Sequence, residues 1–268
     1  MKSANRIFVL ALSVIGFNSC QKVIDVSLKN AELKYVIEAQ VTDGTDPHWV
    51  TISRTKDFNQ DNNFEKISGA QVVLTDLDAN LSDTLKETTA GRYESSHLSG
   101  VHGHNYRMMV NIQGQNFISE ARMPQQAVDI DTLYVKSSGF DENHYMIARY
   151  LDPVGVGNYY RTRQWINDTL VKGSRVRSDY ALDGRVYQGL MMYDAGEGSG
   201  NPKIKPGDKI EAELQCINQA AFDYYRTIGD ASGDNSTTPA NPVTNLQGGA
   251  LGVFNVSTSR TKVSTAVF

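Results

Sequence analysis

From Tyr35 onward the apolar positions recur mostly at every second residue, and the chain reads as strands rather than helices. Tyr35, Ile37, Ala39 and Val41 alternate with Val36, Glu38 and Gln40, the pattern of a strand with one face in a core. Asp43-Gly44 interrupts it, and Trp49 to Ser53 resumes an extended pattern. Ala70 to Thr75 and Asp83 to Thr89 bracket the polar turn Asp76 to Ser82. Tyr106, Met108, Val110 and Ile112 share a face, and Gln113-Gly114 supplies a two-residue hairpin turn. Folding about that turn sets Val110 opposite Phe117, Met108 opposite Ser119 and Tyr106 opposite Ala121, so the apolar faces of both arms coincide. About seven short strands in roughly the first hundred residues after the leader predict an immunoglobulin-like β-sandwich over 34–124.

Pro124 and the polar Gln125-Gln126 mark a boundary, after which a second β-rich domain is predicted over 127–268. Its strands are Thr132 to Val135, Tyr145 to Leu151, Tyr159 to Val171, Arg185 to Tyr193 and Lys209 to Ile217. One short helix is predicted over 219–228, capped by Asn218, ended by Gly229 and buried along Ala221, Tyr225 and Ile228. At about ten residues it depends on packing rather than on propensity. Asp230 to Asn245 reads as a loop rich in Gly, Asn, Pro and Thr, and a last extended segment begins near Ala250. The fold class expected is mainly β.

The amino terminus departs from this pattern. Lys2 and Arg6 precede an apolar run of 11 residues, Ile7 to Phe17, ending in Gly16-Phe17-Asn18-Ser19-Cys20. A basic head, a short apolar core and a small residue before the cut make a secretory signal over 1–19. The run is well short of the roughly 20 residues that cross a bilayer as a helix. Cleavage just before a cysteine makes Cys20 the first mature residue, with its thiol and amine acylated, although Phe17 and Asn18 depart from a strict lipobox. Residues 20–33 then form a lipidated tether. Three acyl chains exceed the two hydrophobic signals that stable anchoring generally needs.

Cleavage takes the 26 basic residues to 24 against 30 acidic ones, a net charge of −6. An acidic body excludes nucleic acid as a partner, because a phosphate backbone is met by a basic surface. Cys20 and Cys216 are the two cysteines. Acylation of the first leaves no intrachain disulfide, and the alternation Ile210, Ala212, Leu214, Cys216 turns the second into the core.

Candidate chemistry is sparse. Asp76-x-Asp78-x-Asn80 with Glu87 imitates a calcium loop, but Leu81 occupies the place where glycine makes the sharp turn, so a hairpin turn is expected instead. Asp57, Asn59 and Asp61 are a second imitation without the glycine or the closing acid. His102 and His104 lie two apart near His97, yet Gly100 and Gly103 make a turn there and no further ligand completes a set. The sequence carries no nucleophile elbow, zincin helix, phosphate loop or Rossmann turn, and no enzyme, metal or cofactor is expected. In Tyr159-x-Arg161-x-Arg163-x-Trp165, period-two geometry sets two guanidinium groups between two aromatics on one strand face. Such a row suits carboxylates or flat rings. It also suits a plain sheet face, with Arg stems over the rings and acids opposite on the next strand.

Several segments together resemble the outer-membrane lipoprotein family of the Bacteroidota known as domain of unknown function (DUF) 4249. They are Cys20 to Val26 leading to Tyr35 through Ala39, Val50 to Phe58 followed by Ile67 to Ala70, and Tyr93 to Gly103 with the Tyr106 to Pro124 hairpin. The most distinctive are Phe222-Asp223-Tyr224-Tyr225, Asn241 to Leu246 and Gly248 to Phe254, where Val253 replaces the family's usual aromatic. The resemblance implies a lipid-anchored partner of TonB-dependent outer-membrane transporters. It supplies no catalytic residues, and only Cys20 carries over as a functional residue. The expected function is therefore a non-enzymatic accessory lipoprotein that captures or presents a nutrient at a transporter. The alternative is a structural or adhesion lipoprotein of the envelope with no small-molecule ligand.

Overall fold

In the computed structural model, which describes residues 32–56, 63–95, 97–173, 175–196, 198–231 and 242–268, the alternation becomes sixteen strands and one helix. Strands far outweigh the single helix of 13 residues, so the protein is mainly β, as its pattern predicts. The signal segment, Cys20, most of the tether, the Asp57, Asn59 and Asp61 loop and the centre of the Asp230 to Asn245 loop lie outside the described residues. Among the described residues, no helix is long and apolar enough to cross a membrane.

The first half builds β1 (Tyr35–Thr42), β2 (Trp49–Arg54), β3 (Gln71–Asp76), β4 (Leu81–Thr84), β5 (Lys86–Thr89), β6 (Arg92–Glu94), β7 (Asn105–Ile112) and β8 (Gln115–Arg122). The β7–β8 hairpin has the register read from sequence, with Val110 opposite Phe117, Met108 opposite Ser119 and Tyr106 opposite Ala121. Its turn works because Gln113 and Gly114 both adopt positive φ, 52° and 89°, matching the twist of the arms. The stretch predicted as one strand, Asp83 to Thr89, is two. β4 joins the sheet β4-β3-β7-β8, and β5 crosses to the sheet containing β1, β2 and β6, with Leu85 buried between them. These sheets enclose one core that includes Ile37, Ile52, Leu74, Tyr106, Met108 and Phe117.

The second half builds β9 (Thr132–Ser137), β10 (His144–Leu151), β11 (Tyr159–Ile166), β12 (Thr169–Leu170), β13 (Arg175–Ser178), β14 (Val186–Leu190), β15 (Lys209–Ile217), α1 (Gln219–Ala231) and β16 (Leu251–Thr265). The long strand predicted over Tyr159 to Val171 is broken at Asn167-Asp168. Both residues take positive φ, 48° and 63°, which folds β12 back on β11. Sheet β14-β10-β9 and the β11/β15 region share a second core containing Met146, Tyr150, Tyr160, Ile210, Leu214 and the buried Cys216 thiol, whose pKa burial raises.

Asn218 caps α1, its Oδ1 accepting from Ala221 N at 2.9 Å. The helix runs past Gly229 to Ala231, and its buried stripe is displaced from the predicted one. Ala221 and Tyr224 are buried, Tyr225 is half-buried, and Ile228 is exposed. The helix is thus seated by its first two turns, where Ile217 and Val253 meet it.

β16 joins the two halves. Residues 251–257 pair parallel with β1, from Val36 opposite Leu251 to Thr42 opposite Ser257. Residues 258–265 then pair antiparallel with β15, from Cys216 opposite Thr258 to Lys209 opposite Thr265. Its 15 residues extend roughly 50 Å, enough to serve both sandwiches. Glycines at its start and just ahead of it act as clearances. A Cβ on Gly252, which has φ +113°, would lie 1.9 Å from the Ile37 carbonyl oxygen, and one on Gly248 would lie 2.5 Å from that of Asn116. Asn245 brackets Phe254, accepting from its N–H and donating to its carbonyl, each at 2.9 Å. Leu33–Phe268 accordingly forms one compact unit.

Candidate functional site

β11 is flanked by β15 and β13, and period-two geometry divides its side chains between two environments. Tyr159, Arg161, Arg163 and Trp165 share one face, in register with Ile217, Gln215, Glu213 and Glu211 of β15. Arg163 Nη1 pairs with Glu213 Oε2 at 3.1 Å, and the Arg163 guanidinium lies 4.8 Å from the Trp165 ring centre. Arg161 Nη1 donates to Gln215 Oε1 at 3.4 Å, and its guanidinium stacks 3.9 Å from the Tyr225 ring of α1. Phe222 of the helix packs on Tyr159, with ring centres 4.9 Å apart.

Behind this row runs a polar seam. Glu213 Oε1 accepts from Gln215 at 2.9 Å and from Ser259 at 2.6 Å, and Tyr224 OH donates to Glu38 Oε1 at 3.4 Å. The four residues singled out in the sequence are therefore brought together on one face. There the cations meet β15 and the helix covers Arg161, whose pKa burial lowers.

The opposite face of β11 opens on a cleft. Tyr160, Thr162 and Gln164 line it, with Tyr150 from β10, Tyr187 from β14, Arg175 and Arg177 from β13, and Lys172, Tyr193 and Asp194 from the connecting segments. The cleft measures about 540 Å³, within the range of small-ligand sites. Its wall is aromatic: the Tyr150 ring centre lies 5.2 Å from that of Tyr160 and 5.1 Å from that of Tyr187. Burial raises the pKa of Tyr150 and Tyr160 well above the ordinary phenol value and that of Tyr193 to about 12, so these phenols stay neutral. The Tyr160 hydroxyl donates to the buried Asp152 carboxylate, which also accepts from Gly184 N at 3.1 Å.

The rim is basic. Arg177 stacks 3.9 Å from the Tyr187 ring centre and donates to its hydroxyl at 2.6 Å. Arg175 Nε donates to the Met192 carbonyl at 2.8 Å, and Lys172 Nζ to that of Ser199 at 3.2 Å. Gln164 is 5% exposed. Its Nε2 donates to the Met191 carbonyl at 3.0 Å, while its buried Oε1 has no donor among the described residues. Among the described lining residues, Lys172, Arg175, Arg177 and Arg226 face a single acid, Asp194. Sequence reasoning missed this cleft. Arg175-x-Arg177 carries the same alternating signal as Arg161-x-Arg163, but Gly173 and Asp179 stand where that row has aromatics.

The remaining candidates serve turns. His102 and His104 diverge, His102 Nε2 to Asp43 Oδ2 at 2.7 Å and His104 Nδ1 to Asp76 Oδ2 at 2.8 Å. Asp76, Asp78 and His104 do converge, with ligand atoms within 4.8 Å. Their hydrogen bonds hold the β3–β4 hairpin: Asp76 Oδ1 accepts from the amides of Asp78 and Ala79, and Asp78 Oδ2 from Asn105 N. That is Asx-turn chemistry, as expected for Asp76 to Ser82.

No curated protein matches the sequence. Residues 21–263 match the model of the family described as domain of unknown function, DUF4249, and the chain belongs to that family.

Proposed function

We propose that the protein is a non-enzymatic accessory lipoprotein of the outer membrane, anchored through acylated Cys20. It captures a small ligand and presents it to a TonB-dependent transporter. The observation that carries the capture role is the tyrosine-walled, basic-rimmed cleft beside β11. The leader ending at Cys20 supports the anchor. Tethering two partners to one membrane raises their effective concentration, so weak contacts suffice for transfer.

Affinity capture of the full chain from detergent-solubilised outer membranes tests this reading. The expected result is a copurified TonB-dependent barrel, with slower growth on the transported nutrient after deletion of the gene. Capture without a barrel, together with unchanged growth, contradicts it.

One observation favours a second reading, adhesion to other envelope proteins without a small ligand. Val154, Val156 and Tyr180 are 86%, 76% and 92% exposed. They project from loops tied together by Gly155 N to Asp183 Oδ1 at 2.6 Å and Asn158 N to Asp179 Oδ2 at 2.9 Å. Exposed apolar groups on ordered loops suit a protein contact. Capture of envelope proteins other than a transporter distinguishes that reading.

A further inference from the structure

Taking the cleft beside β11 as the capture site, and so resting on that reading, we propose that its ligand is a small organic acid. Its carboxylate is held by Arg175, Arg177 and Lys172, its ring or hydrocarbon face lies on the tyrosines, and an N–H or O–H of the ligand donates to Gln164.

Three independent observations converge. The first is charge. The whole chain is acidic, at −4, yet the cleft gathers cations. Several arginines elsewhere meet carboxylates, as Arg107 meets Glu120 at 2.6 Å and Arg163 meets Glu213 at 3.1 Å, while Arg122 and Arg161 donate to neutral acceptors. Among the described residues, Arg175, Arg177 and Lys172 pair with none; their hydrogen bonds go to backbone carbonyls and one phenol. A guanidinium fork satisfied by neutral acceptors on one side keeps donors for a carboxylate, the partner that such forks bind in two parallel bonds.

The second is the buried Gln164. Its amide orientation is fixed, because Nε2 donates to the Met191 carbonyl and a flipped amide would set two oxygens together. Oε1 then stays buried without a donor among the described residues. Buried polar atoms are normally paired, so this acceptor marks where a ligand supplies an N–H or O–H.

The third is the wall. Tyr150, Tyr160 and Tyr187 form a continuous aromatic surface, onto which a flat ring or the apolar face of a sugar packs. Together these features select for an anion that also carries a donor and a flat face. Aromatic carboxylic acids and acidic sugars share that chemistry.

Calorimetric titration of the full-length protein in detergent, in phosphate-free buffer, tests the proposal and separates the two sources. The probes are indole-3-acetate and galacturonate, each against its neutral counterpart, tryptophol and galactose. The expected result is binding of at least one acid, with its neutral counterpart about ten-fold weaker or worse, the scale of a charge-assisted hydrogen bond. Arg177→Gln is expected to weaken the bound acid about ten-fold, and Gln164→Met, which removes the acceptor at similar volume, several-fold. Both variants should keep the parent's circular-dichroism spectrum and a single cooperative urea transition, a control that separates lost recognition from lost folding. Equal affinity for acid and neutral compound, or no binding of either acid at millimolar concentration, overturns the proposal. Either failure leaves transporter copurification intact as a test of the accessory role, so the two ideas fail separately.

Discussion

His48 shows how far a single side chain departs from what its type suggests. It is 3% exposed just before β2, and neither ring nitrogen has a hydrogen-bond partner among the described residues. Burial pushes its pKa below the ordinary 6.5, against an opposing pull from Asp83. A depressed value in the folded state means that the unfolded chain takes the proton first as pH falls. The stability that depends on a neutral His48 is therefore complete above pH 6.5 and is lost as pH drops toward the folded value. Asp43 and Asp76 titrate in a lower window. Burial raises their pKa values, but hydrogen bonds that include those from His102 and Arg260 to Asp43, and from the Ala79 amide and His104 to Asp76, outweigh it. Their contribution is lost only below the ordinary 3.8. We predict that His48→Leu stabilises the protein by about 1 kcal/mol at neutral pH, because two unpaired buried polar atoms are removed. The variant should also flatten the loss of stability just below pH 6.5 in denaturant titrations; an unchanged slope there would show that His48 is not its source.

At the scale of elements, α1 and β11 depend on each other. A short helix gains little from propensity, and this one is seated by Ala221, Tyr224 and the stacking of Tyr225 on Arg161. Arg161→Met and Tyr225→Leu, alone and combined, form a double-mutant cycle. Their coupling energy should be about 1–2 kcal/mol for a largely desolvated cation–ring pair. Coupling near zero in urea melts would mean that the helix is held by its apolar residues alone.

Local elements were legible in the sequence, and non-local ones were not. Gln113-Gly114 fixes both turn and register within a few residues, so the β7–β8 hairpin could be read outright. The Asn167-Asp168 turn was missed although both residues favour turns, because Trp165-Ile166 and Leu170-Val171 flank it with apolar residues on either side. Tyr159, Arg161, Arg163 and Trp165 share a face because strand geometry requires it, but only the fold reveals that Tyr225 covers Arg161. The cleft was illegible for the same reason. Gln164, Arg177, Tyr150 and Tyr187 come from four strands, and each alone is an ordinary strand residue.

For the whole molecule, β16 is the consequential feature. One strand completes a sheet of the first sandwich through β1 and a sheet of the second through β15. Two bodies that share a central strand should unfold together. The chain supplies a reporter for each, since its two tryptophans are Trp49 on β2 and Trp165 on β11. Fluorescence of Trp49→Phe and Trp165→Phe variants should give coincident urea transitions once each is normalised to its own calorimetric stability. Separated midpoints would show two independent folding units. Cys20, the proposed anchor, precedes the first strand in the sequence, and the cleft belongs to the second sandwich. The proposed role requires the rigid body to be held at the membrane.

Labelling of growing cells with an alkyne-bearing palmitate analogue, followed by fractionation, tests that requirement most directly. The account predicts that the parent protein is labelled and sediments with membranes, while Cys20→Ala is unlabelled and moves to the soluble fraction. An unlabelled parent, or a Cys20→Ala variant that keeps both label and membrane retention, would contradict it.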